Sequence, residues 1–210
     1  MASGSQNIDA VVIGAGVIGS AVALELARRG RKVVCVDKLP AAGYGSTSSS
    51  SAVVRFSYST LSGVALSYEA YRHWVDWPNH IGPIGDQNLA EYVAAPMLMP
   101  KTPGGHHEKV LPHFDALGIP YEDLSAEECQ TRWPYLDLRI FGPPATLEDV
   151  DSFWGEPSVI HDGAISMPEA GYISDPQLAA ANLAAAAIRE GATFRYNTCL
   201  LYTSPSPRDS

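Results

Sequence analysis

Positive charge is scarce in this chain of 210 residues: 14 lysines and arginines stand against 23 aspartates and glutamates, for a formal net charge of −9. No basic cluster offsets the deficit. The phosphate attraction that drives binding to nucleic acid or to an anionic membrane is therefore missing, and neither partner is expected. Long apolar runs are absent too, and residues 1–7 are short, polar and uncharged, with neither the apolar core nor the arginine-rich pattern of a targeting segment. The expectation is a globular protein of the cytoplasm. Cysteine is the next scarcity: Cys35, Cys129 and Cys199 are scattered and form no Cys-x-x-Cys pair, which predicts inert reduced thiols. His106, His107 and His113 cluster locally, but no cysteine or further spaced ligand completes a metal set, and adjacent histidines on a helix point about 100° apart. No metal site is expected, and the plain reading is a polar loop leading into a helix.

Apolar residues make up 46% of the chain and charged ones 18%, enough to bury a core. The stretch that organises it runs from Asp9 to Asp37 and reads strand, glycine turn, helix, strand, acid. The apolar run 10–13 has the length of a strand buried on both faces, and the helix after Gly16 carries Arg28 and Arg29 in its last turn, with Gly30 as its stop. Gly14 permits a tight turn, Gly16 lets the backbone approach a pyrophosphate, and Gly19 lets the helix pack close to the strand. The bare N–H groups at the helix start, those of Val17, Ile18 and Gly19, then face the phosphates. Asp37, followed by Lys38, ends the second strand, where a carboxylate accepts both hydroxyls of an adenosine ribose and repels a 2′-phosphate. A glycine turn without a ligand would leave three glycines and the acid unexplained.

Six hydroxyl residues in a row follow, from Ser46 to Ser51, with Gly45 before them and the apolar segment 52–54 after them. Composition alone favours a flexible serine linker. So close to a phosphate-binding turn, however, the hydroxyls and N–H groups of Gly45, Ser46, Thr47, Ser48, Ser50 and Ser51 suit a pyrophosphate or a flavin's ribityl chain, and Arg55, nine positions past Ser46, can reach the substrate side of the ring.

The Gly14-x-Gly16-x-x-Gly19 turn, Asp37, residues 45–48 and the pattern Ser51-x-x-x-Arg55-x-x-Tyr58 together resemble the N-terminal part of the D-amino-acid oxidase superfamily of FAD-dependent oxidoreductases, on its sarcosine oxidase-like branch. The resemblance implies that the fingerprint binds the ADP half of FAD and that residues 45–51 pack beside the flavin. It further implies that Arg55 captures the carboxylate of a small amino acid near the flavin, with Tyr58 shaping the pocket. A second basic residue common in the family, three positions before that arginine, is here Ala52. The implied reaction is oxidation of the C–N bond of an amine or amino acid of the sarcosine or D-amino-acid type: hydride passes to flavin and the imine hydrolyses, with oxygen or another acceptor taking the electrons. A nicotinamide-dependent dehydrogenase and a non-catalytic dinucleotide-binding module remain open as alternatives.

Further along, residues 61–77 follow a helical period that Pro78 stops, and their aromatics read as core more readily than as a substrate cage. Residues 79–88 read as a linker and a domain crossing, and 91–99 as a strand. Val110, Leu111, Phe114 and Leu117 point inward from a helix ended by Gly118 and Pro120. Ser125 and Glu128 have capping-box spacing, and Arg132 and Trp133 close that helix in structural roles. Residues 137–171 show little periodicity. Ser174 or Asp175 caps a last helix, with Pro176 near its first position, and a strand follows Gly191. This helix and strand return to the nucleotide sheet only after an excursion of about ninety residues, far longer than an ordinary loop. The fold class is α/β: a Rossmann-like FAD/NAD(P)-binding domain (7–85 and 172–198) interrupted by an α+β substrate domain (86–171) and truncated at its C-terminal end. Residues 199–210 break the pattern and resemble a translated sequencing adapter, which would make the chain an N-terminal fragment.

Overall fold

A computed structural model describes residues 7–102, 104–140, 148, 155–157 and 159–199. The chain divides into two units, one built from Met1–Val53, Arg72–Val93 and Tyr172–Ser210 and the other from Val54–Tyr71 and Ala94–Gly171. Residues 54–71, grouped by sequence with the nucleotide domain, thus cluster with the second unit. Among the described residues no helix is long and apolar enough to cross a membrane.

In the first unit, β1 (Ala10–Ile13), β2 (Val33–Val36) and β9 (Thr193–Arg195) form a parallel sheet with β2 in the middle. The registers are Ala10 on Val33 and Val34 on Thr193, so the strand predicted after the long excursion returns to the edge of β2. The β-branched run of β2 is buried at every position, as a central parallel strand requires. Helix α1 (Val17–Arg28) connects β1 to β2, and Gly30, at φ 71°, donates its N–H to the Ala27 carbonyl to end it. Helix α6 (Pro176–Arg189) leads into β9; Asp175 is its N-cap, accepting the Leu178 N–H at 2.9 Å, with proline at the first position. Ala23 and Ala27 of α1 and the buried alanines of α6 let these two helices pack closely.

Residues 79–88, expected to be a linker, are instead tied down. Helix α3 (Trp77–Ile81) opens this part of the chain, and its Pro78 sits in the first turn, where a missing N–H costs nothing. Asn182, fully buried on α6, accepts from Trp77 Nε1 at 3.2 Å and from the Ala90 N–H at 2.9 Å, and donates to the Asn88 carbonyl at 2.9 Å. Arg189 Nη1 donates to the carbonyls of Ile81 and Pro83. One buried amide and one guanidinium thus replace a regular ladder.

The second unit centres on β7 (Gly163–Met167), flanked antiparallel by β5 (Met97–Pro100) and β6 (Glu122–Ser125). Helix α4 (His106–Leu117) buries Val110 and Phe114 against Phe56, Ile165 and Met167, and Gly118 ends it in the left-handed conformation. Helix α5 (Ala126–Arg132) begins with the expected capping box: Ser125 Oγ accepts the Glu128 N–H and Glu128 accepts the Ser125 N–H. Arg132 pairs with Glu122 and Trp133 packs beside Leu124 and Cys129, structural roles for both. Helix α2 (Leu61–Val75) buries Val64, and its Tyr68 and Tyr71 pack edge-on against Phe56 with centroids 5.2 Å away, so this part of the aromatic stripe is core.

Several expectations are corrected. Strand β1 is not buried on both faces: Val11 is 57% and Ile13 71% exposed, and these two alternate residues share one face of the strand. The helix over 61–77 ends at Val75 and restarts at Trp77, since proline is compatible with a helix start as well as a stop. The strand over 91–99 is two, β4 (Tyr92–Ala94) and β5, broken where Pro96 removes a donor. Residues 171–173, in the stretch read as having little periodicity up to 171 and as leading to the helix cap beyond it, form strand β8 (Gly171–Ile173). Residues 143–144, 153–154 and 200–210, including nearly all of the adapter-like tail, lie outside the described residues.

Replacing Asn182 with leucine strands two buried donors, Trp77 Nε1 and the Ala90 N–H; the expected loss of unfolding free energy is about 2–4 kcal/mol, measured by urea denaturation.

Candidate functional site

The fingerprint turn is built by steric exclusion. Gly14 holds φ 98° and donates its N–H to the Val36 carbonyl at 2.8 Å, joining the turn to the end of β2. A β-carbon on Gly19 would lie 1.8 Å from the Gly14 carbonyl oxygen, so α1 starts against the turn with no room for a methyl group. One on Gly16 would lie 3.0 Å from Thr47 Oγ1. The tight turn at Gly14 and the close helix approach at Gly19 are thus visible as geometry.

Asp37 sits half-buried across this turn. Its Oδ2 accepts the Ala15 N–H at 2.6 Å and its Oδ1 accepts the Leu39 N–H at 2.8 Å, which fixes the plane of the carboxylate and leaves a lone-pair position on each oxygen. Lys38 beside it is exposed. The neighbouring Cys35 thiol is pushed up to about 11, first by burial and then by the charge of Asp37.

The hydroxyl tract is an ordered turn, not a linker. Gly43 donates to the Ala15 carbonyl and Ser48 to Gly43, the Ser48 hydroxyl donates to Gly45, Ser50 N–H donates to Thr47, and Ser50 Oγ accepts the Ala52 N–H. Thr47 is buried, and its Oγ1 accepts the Val17 N–H at 3.1 Å. Of the three N–H groups assigned to phosphates from sequence, Val17's is therefore engaged by Thr47, while those of Ile18 and Gly19 precede any intrahelical acceptor. Gly45, Ser46, Ser48, Ser50 and Ser51 are exposed around this turn. A glycine cradle, an open helix start and a fixed carboxylate with unspent acceptor positions fit the pyrophosphate and ribose of a dinucleotide.

In the second unit, Arg55 and Tyr58 come together as a separate cluster. The Arg55 guanidinium lies 5.3 Å from the centre of the Tyr58 ring, and its Nη1 approaches the Ser57 carbonyl at 3.4 Å and the Ser57 hydroxyl at 3.3 Å. Ser57 is buried, whereas Arg55 and Tyr58 are exposed. His106, at the start of α4, bonds the same Ser57 carbonyl through Nε2 at 2.9 Å. Sequence reasoning missed Ser57 and His106, because nothing local links positions 49 residues apart. Arg28, Arg132, Arg139 and Arg189 each pair with a carboxylate; the contacts of Arg55 are with neutral groups.

Residues 9–201 match the family model described as FAD dependent oxidoreductase. No curated protein matches the chain. Among solved structures, it is similar to L-proline dehydrogenase from P. horikoshii (22% identity, TM-score 0.68, covering 91% of this chain and 44% of that one). It is also similar to glycine oxidase from Geobacillus kaustophilus (21%, 0.63, 89% and 46%). A third is L-α-glycerophosphate oxidase from Mycoplasma pneumoniae with FAD bound (18%, 0.63, 89% and 44%). The chain spans less than half the length of each of these, and the likeness is one of fold.

Gly19→Ala drives a methyl group into the Gly14 carbonyl; the expected result is a loss of about 1–3 kcal/mol in thermal denaturation together with weakened FAD binding in a fluorescence titration. Cys35 is expected to resist thiol reagents at neutral pH until the protein unfolds. Because its thiol ionises near 9.0 unfolded and near 11 folded, the folded state holds the proton more tightly, and stability falls as pH rises through that window.

Proposed function

Because the chain belongs to the family of FAD-dependent oxidoreductases, we propose that it serves the oxidation of the C–N bond of a small amino acid or amine, of the sarcosine or D-amino-acid type. FAD, when bound, supplies the hydride acceptor. In this proposal the glycine turn and the helix start receive the pyrophosphate, Asp37 holds the ribose, and residues 45–51 line the cofactor. The second unit serves as the substrate domain. Oxygen or another acceptor re-oxidises the cofactor.

The observation that carries the substrate class is Arg55. An exposed guanidinium whose contacts are a carbonyl, a hydroxyl and a ring keeps its full charge for an external anion, and its planar fork matches a carboxylate in two parallel hydrogen bonds. Tyr58 supports one face of that fork. Proline, glycine and glycerophosphate, the compounds named for the three similar structures, all carry an anionic group. The glycerophosphate oxidase supports a second reading, oxidation at a carbon bearing oxygen, with Arg55 binding a phosphate.

The test is turnover of sarcosine, proline, D-amino acids and glycerophosphate by the flavin-loaded protein, and no measurable rate on the panel would refute the enzyme reading. With Arg55→Ala, KM for carboxylate substrates is expected to rise about 10- to 100-fold while simple amines are unaffected. Equal effects on both would remove Arg55 from carboxylate capture.

A further inference from the structure

We propose that His106 is a positioning residue for Arg55, acting through the carbonyl of Ser57; the inference rests on the assignment of Arg55 to carboxylate capture. Residues 55–58 belong to no helix or strand, so no ladder fixes their peptide planes. Phe56 anchors the segment by its buried ring, and the Tyr58 N–H donates to the Phe56 carbonyl at 2.7 Å, closing a three-residue turn with Ser57 at its centre. The Ser57 carbonyl shares the peptide plane of that N–H, and a second hold on the plane comes from a group on another element. That group is His106 Nε2 at 2.9 Å, an ordinary strong hydrogen-bond distance.

A carbonyl oxygen only accepts, so this bond requires the proton on Nε2. The imidazole is delivered from a firm support, because His106 opens a helix whose Val110 and Phe114 are fully buried. By contrast, the two Arg55 contacts, at 3.3 and 3.4 Å, lie at the long limit of hydrogen bonding. They hold the guanidinium only if both Ser57 acceptors stay where they are. A carbonyl with two lone pairs serves both donors at once. When the histidine bond is removed, the Ser57 peptide turns more freely, and Arg55 loses the acceptors that orient its inner nitrogen. The grip of a planar fork on a carboxylate depends on that orientation being set before the ligand arrives.

A histidine that merely stabilises the start of α4 would affect folding and would leave discrimination between ligands alone. The two roles separate in the flavin-loaded protein with a pair of ligands that differ by one carboxylate: 2-aminoisobutyrate, which has no α-hydrogen to lose as hydride, and isopropylamine. Calorimetric titration is expected to show His106→Ala weakening aminoisobutyrate by about 3- to 10-fold and leaving isopropylamine unchanged. His106→Gln, whose amide N–H reaches the position of Nε2, is expected to restore binding, and His106→Asn, which falls short of it, is not. Added to Arg55→Ala, His106→Ala is expected to cost nothing further. Equal losses for both ligands, failure of glutamine to restore binding, or additive losses with Arg55→Ala would overturn the proposal. Where His106→Ala does not fold, the glutamine and asparagine variants give the same comparison. If Arg55→Ala itself leaves aminoisobutyrate binding intact, the carboxylate assignment beneath the proposal falls; if it weakens binding and the histidine variants do not, the positioning role alone falls.

Discussion

A helix that begins against a strand-ending turn, with no space for one methyl group between them, governs the first unit. The 1.8 Å that would separate a Gly19 β-carbon from the Gly14 oxygen makes glycine obligatory at position 19, and the φ of 98° favours it at position 14. It also brings the open end of α1 next to the end of β2, where Asp37 can reach back to the Ala15 N–H. The Ala15 carbonyl receives Gly43, and Thr47 receives Val17, so a second turn is laid on the first by hydrogen bonds alone. Widening the first approach would therefore disturb the carboxylate and the hydroxyl turn together. The energetic cost of this crowding is offset by the buried valines of β2 and the close alanine packing of α1 on α6.

The second unit solves a different problem, that of holding an irregular segment still. Phe56 lies in an aromatic nest with Tyr68 and Tyr71, and the Tyr68 hydroxyl satisfies itself on Glu169 at 2.9 Å. Burial and the charge of Glu169 raise the Tyr71 phenol in this nest. With Phe56 immobilised by packing and Ser57 by hydrogen bonds, Arg55 and Tyr58 on either side project from a fixed base while remaining exposed. Rigid support beneath an exposed cation suits the binding role proposed for Arg55, since flexibility there would be lost again on binding.

The features legible from sequence are those in which backbone geometry or a cap restricts residue type. Gly14, Gly16, Gly19 and Gly30 mark backbone positions that exclude or disfavour a side chain; Ser125 with Glu128, and Asp175 with Pro176, mark helix starts whose N–H groups need a partner. The features that escaped are carried by tertiary partners. Strand β7, of sequence Gly-Ala-Ile-Ser-Met, alternates nothing because it is buried at every position between two neighbours, and β6 is half acidic because its Glu122 pairs with Arg132 and its Asp123 with Lys101. Pro78 both stops one helix and sits in the first turn of the next, and Pro96 splits the strand over 91–99, outcomes that the local sequence leaves open. The tie between Ser57 and His106 leaves no trace in either local stretch.

Charge explains why a cation with neutral partners stands out in this chain. At a net charge of −9, long-range attraction for an anionic ligand is unfavourable, though at physiological salt the protein's field is screened beyond about 8 Å. Capture of a carboxylate then depends on the immediate surroundings. An arginine paired with an acid, as Arg139 is with Asp137, whose carboxyl is held down at about 2 by that contact, has already spent its charge. Arg55 is held by a carbonyl, a hydroxyl and a ring face, groups that orient a guanidinium without neutralising it. Substituting an acid for Ser57 would orient Arg55 more firmly and make it useless for an anion. In the proposed role of Arg55 the weakness of its present contacts is therefore a requirement, and it leaves the orientation to be supplied by a neighbour that binds the carbonyl rather than the arginine.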